Sequence, residues 1–126
     1  MVYILLAPGF EEIEALAPAD LLRRAGIETA LVALEGDCVP GGKNITVKAD
    51  LSLDRVELDK ADMIVLPGGG VGVENLGKDA RVEVLVKAAA ERAFGWPPSV
   101  PLLPCSAAGA FWTAGRPCAT PPGLTA

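Results

Sequence analysis

Two short segments carry the residue types that could do chemistry in this sequence. Glu11, Glu12 and Glu14 lie in APGFEEIE, and Gly68 and Gly69 open the glycine run of LPGGGVG. A carboxylate whose pKa is raised by burial can act as a general acid or base, and glycines let backbone N–H groups approach a developing oxyanion. A metal site or a phosphate cradle would need an opposing ligand cluster or a P-loop Lys-Ser/Thr pair. Neither accompanies these segments, so we expect no metal.

Three cysteines, Cys38, Cys105 and Cys118, are the candidate thiol nucleophiles. Their odd number and irregular spacing fit neither a disulfide framework nor a zinc site, and favour a reducing cytoplasm. Cys38 is expected in the loop Asp37–Lys43. Cys105 is either a nucleophile or an accidental thiol, and Cys118 has no predicted role.

The composition excludes several classes of function. The chain has 126 residues, 11 basic and 16 acidic side chains and no His, so it is at most one domain without a His-based triad. The sequence has no cluster of basic residues, so we do not expect nucleic acid as a partner. The uncharged stretch Phe94–Gly115 is long enough for a membrane helix, but its prolines would break one repeatedly, so we expect no membrane span.

Apolar runs alternate with amphipathic segments along residues 1–92. The predicted strands are Val2–Leu6, Glu28–Leu34, Asn44–Asp50 and Met63–Pro67, and the predicted helices are Phe10–Ala25 and Asp79–Arg92. Pro18 is expected to kink or split the first helix. The alternation predicts an α/β fold with a doubly wound, mostly parallel sheet, and ligands at the carboxyl ends of its strands.

The pattern changes over residues 93–126, where Arg116 is the only charged residue and prolines interrupt every candidate element. We therefore divide the chain into 1–92, part of a folded domain, and 93–126, a tail predicted to be poorly ordered.

Two segments resemble, in their order and spacing, the ThiJ/PfpI family of Parkinsonism-associated deglycases and cofactor-free glyoxalases. They are APGFEEIEALAPADLLRRAGIE and DMIVLPGGGVGVENL. The resemblance covers residues 1–92. It implies a three-layer α/β sandwich, flavodoxin-like and similar to class I glutamine amidotransferases, in a homodimer. It also implies a small reactive carbonyl or a glycated protein as substrate, and no cofactor.

The resemblance further implies residue roles. Glu14 matches the glutamate that hydrogen-bonds the family's nucleophilic cysteine, and Gly68 and Gly69 match the glycines whose N–H groups face the oxyanion. Val100 stands about where that cysteine is expected, and Cys105 comes later, out of register. The intact parent is therefore expected to be an enzyme and this chain to be inactive.

The genetic code offers a reason for the missing cysteine. Read in the neighbouring frame, the codons of Trp96 and Pro97 must encode Ala, and those of Phe111–Thr113 must encode Leu-Asp. With suitable codons at the other positions, the same frame can read AAICAA and LLDGR. These resemble the family's continuation. A one-base slip between about Arg92 and Trp96 would place the tail out of frame.

Other interpretations stay open. Glu14 could be a solvated carboxylate that favours the helix dipole, and the glycine run could be only a turn. The intact protein could be a redox-stress chaperone-like member without catalysis, or an intracellular peptidase or amidase of the same superfamily.

Overall fold

The computed structural model describes residues 1–94 and 110–113. In this part of the chain the strands are β1 (Val2–Leu6), β2 (Thr29–Ala33), β3 (Cys38–Pro40), β4 (Thr46–Lys48), β5 (Leu51–Ser52), β6 (Met63–Leu66) and β7 (Ala110–Thr113). The helices are α1 (Glu12–Arg24), α2 (Gly70–Lys78) and α3 (Ala80–Phe94), with 3₁₀ turns at Leu53–Arg55 and Leu58–Lys60.

Five of these strands form one sheet in the order β5-β2-β1-β6-β7. All neighbours are parallel except β6 and β7, which pair antiparallel. Strands β3 and β4 form a separate antiparallel hairpin. The predicted α/β fold with a mostly parallel sheet is confirmed.

Helices cover both faces of this sheet, which is why β1 is apolar on both sides. Val2, Ile4 and Leu6 pack on the face covered by α1, together with Ala15 and Ala19 of that helix. On the other face the alternate β1 side chains join a second core, which includes residues of α2 and α3; its β1 members are Tyr3 and Leu5. The chain therefore forms three layers.

Helix α1 runs without a break from Glu12 to Arg24 and contains Pro18. The split considered from the sequence is therefore wrong. Acidic residues lie in the first turn of α1 and arginines in its last, each at the end that the helix dipole favours. Burial of Ala15 and Ala19 against the sheet stabilises the helix on both sides of the proline.

Several boundaries differ from the sequence-based prediction. Cys38 lies in β3 rather than a loop, because Val39 is buried and pairs with Val47 of β4. Helix α2 was not predicted, and α3 extends to Phe94. Within the tail, Ala110–Thr113 forms β7, whereas the predictions for Val100, Cys105 and Cys118 lie outside the described residues. Among the helices of residues 1–94, none has the length and apolarity needed to span a membrane.

Candidate functional site

The candidate site lies where β1 and β6 end, at the carboxyl edge of the sheet. The loop that follows β1 and the glycine run that follows β6 are joined by two backbone hydrogen bonds. Glu11 N donates to Gly68 O at 2.8 Å, and Gly72 N donates to Gly9 O at 3.2 Å. The two segments singled out from the sequence are therefore adjacent in the fold.

Glu14 is the carboxylate that reaches the glycine run. Its side chain leaves the first turns of α1, and Oε2 accepts a hydrogen bond from Gly68 N at 2.5 Å. A Cβ on residue 68 would overlap this same oxygen, so the contact requires glycine at that position. The structure thus brings Glu14 and Gly68 together.

The contact occupies the N–H group of Gly68. That group was predicted to donate to an oxyanion, yet here it donates to Glu14. An oxyanion would need either the release of this bond or donors further along the run, where α2 begins at Gly70. The N–H groups of a helix's first turn point away from the helix and favour negative charge. The oxyanion role of Gly68 and Gly69 stays a prediction.

Gly69 sets the path of the glycine run. Its φ of +99° lies in the region that favours glycine. A Cβ there would lie 2.5 Å from Gly9 O and 2.8 Å from Glu11 N. Backbone therefore packs directly on backbone at this point, and no side chain fits between the two loops.

Glu12, one of the three glutamates of APGFEEIE, is a buried carboxylate whose burial the sequence did not predict. Its exposed fraction is 4%, and Oε1 accepts a hydrogen bond from Lys43 N at 2.6 Å. Burial alone would raise the pKa of Glu12, but hydrogen bonds from backbone N–H groups, chiefly that of Lys43, outweigh it and hold the pKa below its ordinary value of 4.5. The helical spacing of the sequence could have indicated this burial, because Glu12, Ala15 and Ala19 form the buried stripe of α1.

The other candidate groups do not join this cluster in the described part of the chain. Glu11 contributes its backbone to the site, and its side chain makes no capping hydrogen bond to α1. Cys38 is exposed on the β3–β4 hairpin. Within residues 1–94 and 110–113, no group of three or more His, Cys, Asp or Glu side chains is placed to hold a metal ion.

A groove of about 420 Å³ lies away from the site, between α3 and the 3₁₀ turns. Its walls are mostly apolar, and Arg81 and Asp54 stand among its lining residues. These two side chains form an ion pair at 3.1 Å. The groove contains neither Glu14 nor the glycine run, so it is a separate surface feature.

Known proteins match this arrangement over the same part of the chain. The model of the DJ-1/PfpI family matches residues 1–94. Protein dj-1beta of Drosophila melanogaster is 40% identical over 85 residues, which are 67% of this chain and 46% of that protein. A deglycase of Thermococcus kodakarensis is 37% identical over 68 residues, covering 54% of this chain and 41% of its own.

Solved structures agree with these sequence matches. The crystal structure of Drosophila melanogaster DJ-1beta has a TM-score of 0.70 and 36% identity, and the match covers 73% of this chain and 50% of that one. The chain thus spans about half the length of the relatives it matches. Because the family model takes in α1 to α3 and strands β1 to β6, the chain belongs to the DJ-1/PfpI family.

Proposed function

We propose that this chain is part of a DJ-1/PfpI protein whose intact form acts, without a cofactor, on 2-oxoaldehydes such as methylglyoxal or on their early adducts with thiols and amines. The observation that carries the proposal is the hydrogen bond between Glu14 Oε2 and Gly68 N, at 2.5 Å. It places a carboxylate beside a glycine run at the carboxyl ends of the strands, where such sheets bind ligands. The names of relatives from Thermococcus kodakarensis and Pyrococcus furiosus, both deglycases, support the same class of reaction.

The proposed chemistry needs a thiolate as nucleophile. Its sulfur attacks the aldehyde carbon, and the carbonyl oxygen gains a proton as the hemithioacetal forms. Glu14 carries a proton to or from that oxygen, while N–H groups of the glycine run stabilise its charge. By resemblance the thiolate belongs near position 100, where this chain has Val100. The chain itself is therefore proposed to be inactive, since loss of the nucleophile removes nearly all of the rate.

The first test is the nucleotide sequence across codons 85 to 126. An open neighbouring frame that reads AAICAA and LLDGR supports a frame-disrupted chain and supplies the parent. A closed or unrelated frame counts against the proposal. In that case Cys105 together with Glu14 becomes the site to test.

The second test is a methylglyoxal assay with the parent as positive control. We expect turnover by the parent and none by its Cys→Ala variant or by this chain. A parent variant with Glu14→Gln should lose activity, whereas Glu11→Gln should retain most of it because the Glu11 side chain makes no capping bond. Turnover that survives removal of the cysteine would contradict the proposed mechanism. A homodimer, a cytoplasmic location and a role in stress response belong to the same proposal.

A second candidate function is a chaperone-like activity without catalysis. Large apolar side chains are exposed on α1, α2 and α3, with Ile13 of α1 at 74%, Val71 of α2 at 60% and Val84 of α3 at 67%. Suppression of the aggregation of a client protein by the Glu14→Gln parent would favour this candidate. Cleavage of unstructured peptides by the parent would instead favour the peptidase or amidase interpretation.

A further inference from the structure

Glu12 is a buried carboxylate that the proposed reaction does not use. Oε1 accepts the hydrogen bond from Lys43 N, and within the described part of the chain Oε2 is buried without a hydrogen-bond partner. A buried charge is costly unless it is paired and hydrogen-bonded. The bond from Lys43 N supplies such a hydrogen bond to Glu12, and it comes from the β3–β4 hairpin rather than from α1 itself.

Glu12 and Glu14 leave the same turn of α1 toward different loops. Residues two positions apart on a helix point about 160° from each other, toward nearly opposite sides of the axis. Glu12 reaches the backbone of the β3–β4 hairpin at Lys43, and Glu14 reaches the glycine run at Gly68. One rigid turn therefore carries a contact to the loop on either side.

The loop before α1 also makes hydrogen bonds to the β3–β4 hairpin and to the segment that follows β6. On the hairpin side, Gly9 N donates to Pro40 O at 2.8 Å and Gly42 N donates to Phe10 O at 2.8 Å. A bridge between Phe10 and Gly41 adds to this contact. On the other side, Gly72 N donates to Gly9 O.

These contacts leave little free space. A Cβ at Gly41 would overlap the carboxylate of Glu12, and one at Gly72 would lie 2.7 Å from the Cα of Phe10. Closely packed segments transmit displacement rather than absorb it. A shift of the hairpin therefore moves the first turn of α1, and with it the carboxylate of Glu14.

We propose that Glu12 is a positioning residue: its carboxylate fastens the β3–β4 hairpin to the first turn of α1 and thereby holds Glu14 against Gly68. The hairpin is then part of the framework of the site although it supplies no reacting group. The importance of Glu14 rests on the proposed function, whereas the coupling between Glu12 and Gly68 is measurable without any turnover.

The test is the amide proton of Gly68, followed by NMR for its chemical shift and its hydrogen exchange. Exchange of Ile4 in the centre of the sheet reports global unfolding, so a rise at Gly68 counts as local only if it exceeds the rise at Ile4. Glu12→Ala should raise the relative exchange of Gly68 about tenfold and move its proton signal, because a hydrogen bond to a charged acceptor is weakened. Glu12→Gln keeps an acceptor for Lys43 N and should restore most of the wild-type signal.

Glu11→Ala is the matched control, because it removes the adjacent carboxylate and should leave Gly68 unchanged. An unchanged Gly68 amide in folded Glu12→Ala would overturn the proposal, as would an equal response in Glu11→Ala. If Glu12→Ala does not fold, Gly41→Ala displaces the same carboxylate without removing its charge and must give the same Gly68 response. A response at Gly68 combined with an inactive parent would contradict the proposed function and leave the positioning role standing.

Discussion

Gly69→Ala is the substitution that tests most directly how the site is built. The glycine run crosses the loop after β1 at this residue, where φ is +99° and a Cβ would lie 2.5 Å from Gly9 O. A non-glycine residue with such a backbone conformation costs about 1–3 kcal/mol. The overlap adds about 1–3 kcal/mol, because the atom it meets is a backbone carbonyl that cannot rotate away.

Together these terms lower the free energy of unfolding by about 2–6 kcal/mol, a large part of the roughly 5–15 kcal/mol of a typical domain. Urea unfolding followed by far-UV circular dichroism measures the loss as a lower midpoint at an unchanged slope.

Gly70→Ala is the control for this experiment. It changes the next residue, which opens α2, and a Cβ added there would have no atom of the described residues within 4 Å. Alanine is favoured over glycine in a helix by about 0.5–1 kcal/mol, so this variant should be as stable as the wild type or slightly more so. The reasoning is refuted if Gly69→Ala unfolds at the same urea concentration as Gly70→Ala.

Three further predictions concern the fold around the site. Leu5→Ala should lower stability by about 2–5 kcal/mol in urea unfolding, whereas Leu21→Ala should change it by less than about 0.5 kcal/mol, because the exposed fractions are 0% and 65%. Because the pKa of Glu12 is lowered in the folded state, its contribution to stability is complete above pH 4.5 and is lost as the pH falls through the pKa of the folded state. Glu12→Gln should therefore make the urea midpoint fall less steeply in acid. Other carboxylates with a lowered pKa keep part of this pH dependence. Arg81→Ala should lower the melting temperature by a few degrees, because its guanidinium donates to the backbone carbonyl of Leu34 at 3.0 Å. A thermal melt that shows no difference between Arg81→Ala and wild type would contradict the last prediction.

The strands that position the site could be predicted from the sequence because burial on both faces leaves a continuous apolar run. Val2–Leu6 and the run that begins at Met63 are such cases, and each ends in a turn that carries site residues. The family resemblance placed Glu14 and Gly68 in one site, as partners of a cysteine and of an oxyanion, and did not predict the hydrogen bond between them. Neither periodicity nor composition brings these two residues together.

Helix α2 could not be predicted from local preference, because it contains three glycines in the segment GVGVENLGK. Its stability comes from packing: Leu76 is buried, and Gly72 lies so close to Phe10 that no side chain would fit. Tertiary contact here overrides helix propensity. The burial of Glu12 was missed for a related reason, since a glutamate is expected at the surface unless a partner for it is known.

The antiparallel pairing of β7 with β6 has a consequence for any second polypeptide that would add a strand to this sheet. Ala110–Thr113 forms a ladder with Met63–Leu66 and so occupies the outer edge of β6. A second polypeptide that paired with β6 would need this same edge. Reconstitution from two pieces would therefore proceed by strand exchange, with the incoming strand competing against one tethered to the same chain. Shortening the chain to its first 94 residues would remove that competitor.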